Sequence, residues 1–469
     1  MVDPRRRIRW FLAATVVAAA MATLWFLSLD AGPDGGPGSD APGGEGPGVD
    51  WRRTVTVDSG PGRVGPWRMN RSDWRYVDDP TVALDGRGRA AVAWVDQARK
   101  DVLFQRYGPG GAPLLAEPAN VSRSPGVFSW LPRVSVAPAD PDRIYVLWQE
   151  IVFSGGTHGG EAFFARSTDG GRTFGEPINL SETEAGAGKG RLTPRVWHNG
   201  SLDLATGPGG TVYAAWTVYE GGLFLARSTD RGDRFSDPLR ITSAGGSAGP
   251  ARGPTLTAGP EGTVHLAWAV GGDPEADLRY ALSRDTGRSF VTPRVLFPGP
   301  GHADAPKLAL GDGGTLHLAW TVSPEGPGRR YRIRHARGRI DSAGGGPAFG
   351  EARTVAREPE RGEAGARFPH LALDASGDPW IAWERYPPGR RRPRGLALAA
   401  SPDKGRSFSS PSPVPGTADP AFGANGSLQG LLMRKLALGA DGTVAVVNSA
   451  VEPGEASRVR LYLGRAGPR

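Results

Sequence analysis

One segment of about fifteen residues recurs seven times in this chain, and that recurrence limits the fold more than any other feature. Each copy is an apolar strand, a Gly-containing turn and a second strand ending in Ala-Trp or a relative of it. The copies are PTVALDGRGRAAVAW (Pro80–Trp94), PRVSVAPADPDRIYVLW (Pro132–Trp148), LDLATGPGGTVYAAW (Leu202–Trp216) and PTLTAGPEGTVHLAW (Pro254–Trp268). They continue as PKLALGDGGTLHLAW (Pro306–Trp320), PHLALDASGDPWIAW (Pro369–Trp383) and RKLALGADGTVAVVN (Arg434–Asn448), where Asn replaces the Trp. The terminal positions 94, 148, 216, 268, 320, 383 and 448 lie 52 to 68 residues apart. Alternating apolar positions around an Asp/Gly turn predict a β-hairpin in every copy. Gly (70) and Pro (43) approach a quarter of the 469 residues. Because most of them recur at turns, they fit many short strands better than disorder.

A second pattern follows four of the hairpins: ARSTDGGRTFGEP (Ala165–Pro177), ARSTDRGDRFSDP (Ala226–Pro238), ALSRDTGRSFVTP (Ala281–Pro293) and AASPDKGRSFSSP (Ala399–Pro411). Its core is Ser-x-Asp-x-Gly-x-x-Phe, with aspartates at 169, 230, 285 and 403. In such a turn the carboxylate accepts from backbone amides, Gly takes positive φ and Phe wedges between strands.

This pattern resembles the Asp-box, or BNR repeat, of the sialidase superfamily, over roughly residues 50–469. The resemblance implies an all-β propeller of four-stranded blades, with each Asp-box in the turn between third and fourth strands. Asp169, Asp230, Asp285 and Asp403 are then turn locks on the face opposite the usual ligand site. The repeats count to a seven-bladed β-propeller; sialidases typically have six, and a six-bladed ring with a C-terminal appendage is the alternative. The seventh repeat supplies three strands before the chain ends, while Trp51–Val57 precedes the first repeat without a partner. Strand 51–57 is therefore expected to complete the last blade, which removes exposed sheet edges.

Ahead of the repeats, residues 1–30 read as a basic cytoplasmic stub and a signal-anchor transmembrane helix. Trp10–Leu29 holds twenty residues without a charge, behind Arg5, Arg6, Arg7 and Arg9. As a helix it would rise roughly 30 Å, enough to cross the hydrocarbon core. The arginines place the rest outside the cytoplasm, at a cell surface or in a periplasm. A cleaved signal peptide would export the same residues. Residues 31–49 form a Gly/Pro/acidic tether with little to bury.

Candidate ligand groups follow from the propeller reading, in which first strands line a central channel. The residue after each repeat's first position is equivalent in every blade: Thr81, Arg133, Asp203, Thr255, Lys307, His370 and Lys435. A ring with several cations suits an anion such as a carboxylate or sulfate. Solvated channel walls, which tolerate polar residues, are the simpler explanation. Loops reaching the same face contribute Trp130, Arg195, Arg367 and the basic run Arg390–Arg394.

The resemblance implies, for an exo-α-sialidase, three arginines on the sugar carboxylate, a Tyr nucleophile with a Glu base, and an Asp acid. Arg133, Arg195 and Arg367 are the arginine candidates. Tyr386 with Glu384, or Tyr219 with Glu220, are the nucleophile and base, and Asp78 or Asp79 the acid. The family's Phe/Tyr-Arg-Ile-Pro motif is absent ahead of the first repeat. A non-catalytic propeller that binds an acidic glycan or another exported protein therefore ranks first. The absence of cysteine excludes disulfides and thiolate chemistry. The seven histidines show no metal-ligand spacing, so no metal and no cofactor are expected. A net charge of +8 with interleaved acids does not describe a nucleic-acid partner.

Overall fold

A computed structural model describes residues 46–152, 160–184, 186–188, 191–193, 196–197, 201–242, 249–272, 275–299, 301–323, 331–339, 346–356, 365–388, 392–420, 424–427 and 432–467. The expected membrane helix and most of the tether lie outside these residues. Among the described residues no helix is long and apolar enough to cross a membrane.

Every repeat folds as the expected antiparallel hairpin. The inner strands are Val77–Leu84, Ser129–Ala137, Leu202–Thr206, Ala251–Ala258, His302–Gly311, Gly365–Leu373 and Leu436–Leu438. Their hairpin partners include Ala90–Asp96, Pro379–Tyr386 and Thr443–Glu452. These second strands are apolar on both faces, as in Ala90-Ala91-Val92-Ala93-Trp94-Val95, because each is sandwiched between neighbouring sheets. Trp94, Trp148, Trp216, Trp268, Trp320 and Trp383 are all buried there.

Consecutive inner strands contact one another in chain order, and Leu436–Leu438 contacts Val77–Leu84. The ring therefore closes, and one central cavity is lined by all of the inner strands. The arrangement is a β-propeller. Five of its sheets are separate and four-stranded. The expectation of seven separate blades needs correction here. The inner strands Ala251–Ala258 and His302–Gly311 belong to one nine-stranded sheet. Among the described residues a single parallel bridge, Ala276 to His302, joins its two antiparallel halves.

Closure has a second component. The strand Val49–Pro61 runs antiparallel to the C-terminal strand Ala456–Ala466, with Val55 opposite Leu461 and Thr54 opposite Tyr462. It is the outer strand of the sheet that holds the last repeat. Asp58 accepts from Trp94 Nε1 at 2.7 Å, which ties this strand to the first repeat as well.

The four Ser-x-Asp-x-Gly turns share one hydrogen-bond pattern. In the first, Ser167 Oγ donates to Asp169 Oδ1 at 2.7 Å and accepts from Gly171 N at 2.8 Å, while Thr173 N donates to Asp169 at 3.0 Å. The same bonds recur at Asp230, Asp285 and Asp403. The bonds outweigh burial and hold all four carboxyls below their usual range, Asp285 and Asp403 at about 2. Gly171, at φ 91°, lies so close to the Phe104 ring that a Cβ would collide with it. The four aspartates are thus consumed by the turns that contain them.

Candidate functional site

A repeated bulge sets what the inner strands present. The residue before the repeat's proline takes a left-handed conformation in five of them: Asp79 (φ 52°), Leu131 (55°), Gly253 (52°), Ala305 (55°) and Phe368 (54°). Each sits at a register shift, such as that between Asp78 and Thr81 or between Arg367 and His370. A non-Gly residue held there costs on the order of 1 kcal/mol. The bulge separates two levels of side chains. Asp78, Trp130, Arg252, Asp304 and Arg367 lie one step before it, toward the mouth. Thr81, Arg133, Thr255, Lys307 and His370 lie one step beyond it, inside the channel.

The inner level is sealed from the mouth by Leu432–Lys435, which crosses the channel on its way into the last inner strand. Arg434 O accepts from Val82 N at 2.9 Å. Arg133 is fully buried, donates from Nη1 to Leu131 O and Pro132 O at 3.2 and 3.1 Å, and abuts the Met433 sulfur. Burial lowers its pKa to about 10, with Asp203 and Asp79 opposing the shift. Asp203 accepts from Leu256 N at 2.8 Å and from Arg434 Nη2 at 3.0 Å. Lys307 Nζ donates to Leu432 O at 2.7 Å. Thr255 Oγ1 accepts from Leu308 N at 3.1 Å, so this level also stitches adjacent inner strands together.

The mouth is formed where the last two sheets meet the first. Glu384 is fully buried, and its Oε1 pairs with Lys435 Nζ. Lys435 also donates to Asn448 Oδ1 at 3.1 Å. Ser449 Oγ donates to Asp78 Oδ1 at 2.6 Å. Two residues beyond Glu384 on the same strand face, Tyr386 is buried with its hydroxyl unbonded among the described residues, as is Glu384 Oε2. Burial raises the pKa of both groups; Arg367 opposes it at Tyr386 and Lys435 at Glu384. The Arg367 guanidinium lies 3.9 Å from the Tyr331 ring centroid, 4.7 Å from Phe368 and 5.3 Å from Tyr386. It is half-buried and has no carboxylate partner among the described residues. Arg392 completes the group, its pKa lowered by burial against the pull of Tyr386, Tyr76 and Asp78.

The remaining sequence candidates fall elsewhere or apart. Arg195 lies outside the described residues, as do Arg390 and Arg391. Asp79 is buried at the bulge and acts on Arg133, whereas its neighbour Asp78 joins Glu384 at the mouth. Tyr219 and Glu220 occupy a tight turn on the third sheet, closed by Val218 N to Gly222 O at 2.7 Å. Trp130 is not an open platform. It packs with Trp67, Trp74 and Phe128 and donates to Gln97 Oε1 at 3.1 Å.

Several contributors escaped the sequence reading. Arg252, with Asp304 at 3.1 Å, builds a second ion pair at the bulge level. Asn448 stands where the other repeats have Trp, and this departure could have pointed to the site. Among the described residues no group of three or more His, Asp or Glu could hold a metal.

The Glu384–Lys435 pair makes a direct prediction. Removing one partner of a buried pair leaves an uncompensated charge, at a cost of about 3–5 kcal/mol. Lys435→Met should therefore be destabilised by that amount in denaturant unfolding. Adding Glu384→Gln should recover most of it. A single variant as stable as the parent would show that the pair is dispensable.

No family model matches this sequence, and no curated protein matches it. Among solved structures, a protein of unknown function from Dyadobacter fermentans aligns over 74% of this chain and 97% of its own, with 14% identity and a TM-score of 0.49. The polysaccharide lyase Uly1 aligns over 89% of this chain and 100% of its own, with 12% identity and a TM-score of 0.48. The NanB sialidase of Streptococcus pneumoniae aligns over 67% of this chain and 66% of its own, with 9% identity and a TM-score of 0.46.

Proposed function

We propose that this protein is a membrane-tethered propeller on the extracytoplasmic side that binds an acidic glycan at the mouth of its ring, without catalysis. The observation that carries the binding reading is Arg367. Its guanidinium is fixed by three aromatic rings and, among the described residues, carries no carboxylate of its own and lies beside two buried polar atoms that lack partners. A sugar acid supplies what such a site lacks: a carboxylate for Arg367, hydroxyls for Tyr386 and Glu384, and a C–H face for the rings.

The non-catalytic reading rests on two contacts. Glu384 is engaged by Lys435, and Arg133 is shut beneath Met433. The arginines expected to converge on a sugar carboxylate are therefore not assembled among the described residues. The pairing of Tyr386 and Glu384 on one strand face favours a second reading, an exo-α-sialidase.

Two measurements on the full chain decide. An array of uronate-, sialate- and sulfate-bearing glycans should show binding that Arg367→Ala weakens at least tenfold with no change in Tm. A fluorogenic sialoside should not be turned over; turnover abolished by Tyr386→Phe would establish the hydrolase instead. An array silent for every acidic sugar would remove the glycan reading.

A further inference from the structure

Below the Leu432–Lys435 crossing, the channel is a cavity of its own of about 370 Å³. It reaches the inner-strand ends at Leu84, Leu310, Leu373 and Leu438, beside the turns into the second strands. Its walls are mostly small or apolar, including Ala83, Val134, Ala205 and Leu371. Its blind end is different in kind. Lys307, His370, Arg434 and Thr255 line it there.

The charges at this end do not balance. Asp203 is the carboxylate in contact with the group, and Arg434 holds it through both oxygens. Glu384 is taken by Lys435 on the mouth side. Asp79 acts on Arg133 from the bulge. Lys307 is buried, gives one hydrogen to Leu432 O and, among the described residues, meets no carboxylate within hydrogen-bond reach. His370 is also buried, and among the described residues neither ring nitrogen makes an aligned hydrogen bond; the Met433 backbone lies beside it. An ammonium with one acceptor for its three hydrogens, and an imidazole without an aligned hydrogen bond among the described residues, are costly when kept dry unless something else in the cavity answers them.

We propose that this blind end binds a small anion, a carboxylate or an inorganic oxyanion, held by Lys307 and His370 with Arg434 alongside. The site is separate from the mouth and is reached from the opposite face, so it goes beyond the glycan reading and does not depend on it. Burial brings the Lys307 pKa down to about 7 against the opposing pull of Asp203, with Arg133 and Arg434 pushing the same way as burial. An anion beside Nζ favours the protonated form, so binding above pH 7 takes up a proton. Affinity should then fall about tenfold per pH unit above 7.

Sulfate titrated into the full chain by calorimetry at pH 8, in two buffers of different ionisation heat, tests this. Acetate run in parallel tells a carboxylate from an oxyanion. The expected result is binding whose heat differs between buffers, weakens from pH 7 to pH 8.5, and raises Tm. Lys307→Met should lose at least tenfold in affinity, while Arg367→Ala binds as the parent does. No binding of either anion, or sulfate binding equal in parent and Lys307→Met, would overturn the proposal. Should Lys307→Met fail to fold, pH-independent binding without proton uptake by the parent would overturn it equally.

Discussion

Deleting residues 50–58 should abolish cooperative folding, although the segment precedes every repeat. The strand Val49–Pro61 pairs along its length with Ala456–Ala466. Val55 and Val57 pack against the cluster of Val92, Trp94 and Leu461, and Trp51 packs toward Val446 and Tyr462. Losing these partly buried side chains costs roughly 3–5 kcal/mol. The Trp94 indole, left without Asp58, adds about 1 kcal/mol. Domains of ordinary stability hold roughly 5–15 kcal/mol, so a large share disappears. The deletion also exposes Ala456–Ala466 as a long, largely buried-type edge, which invites association. Soluble yield and a thermal melt check this. A deletion variant that melts cooperatively within a few degrees of the parent would show that the ring does not need its N-terminal strand.

Acid should unfold the protein well above the range where carboxylates titrate. His265, His317 and His335 are all completely buried. Burial, aided by nearby arginines, lowers their pKa to about 4, 4 and 3. His265 Nδ1 lies 2.7 Å from the Tyr280 hydroxyl, and His317 Nδ1 lies 3.1 Å from His335 Nε2. The folded state thus keeps these rings neutral while the unfolded chain protonates them near pH 6.5. The contribution of these histidines is complete above pH 6.5 and is lost as pH falls toward the folded values. Each ring contributes up to about 1.4 kcal/mol per pH unit across that window. Denaturant midpoints at pH 7.5, 6 and 5 should therefore drop steeply. The parent's slope should exceed that of His265→Gln. A midpoint flat from pH 7.5 to 5 would contradict this assignment. The Ser-x-Asp turns act in a lower window: Asp285 and Asp403 surrender their contribution only as pH falls from about 4 toward 2.

The hairpins and the Ser-x-Asp turns were legible because each depends on local chemistry repeated at fixed spacing. The equivalence of Thr81, Arg133, Asp203, Thr255, Lys307, His370 and Lys435 was legible for the same reason, since each holds the same register position. What that level faces was not legible. Leu432–Lys435 closes it from the mouth, and a chain crossing a channel leaves no periodic trace. The bulge before each proline was equally hidden. A left-handed Asp79, Leu131, Ala305 or Phe368 contradicts local preference and is imposed by packing of the ring. It moves Asp78 and Arg367 to the mouth and leaves Arg133 inside. The joining of two sheets through Ala276 and His302 is likewise a tertiary event. One signal was present and unread: Asn448, the single repeat end that is not Trp, sits beside Lys435 and Glu384.

In the proposed function, Arg367 donates to the carboxylate of an acidic sugar. Calorimetric titration of the full chain with the tightest acidic ligand from the glycan array, against parent and Arg367→Ala, measures this. The expected result is a single site in the parent, weakened at least tenfold in Arg367→Ala at equal Tm, and lost when the sugar's carboxylate is esterified. Equal affinity for the acid and its ester, or equal affinity of both proteins, would contradict it.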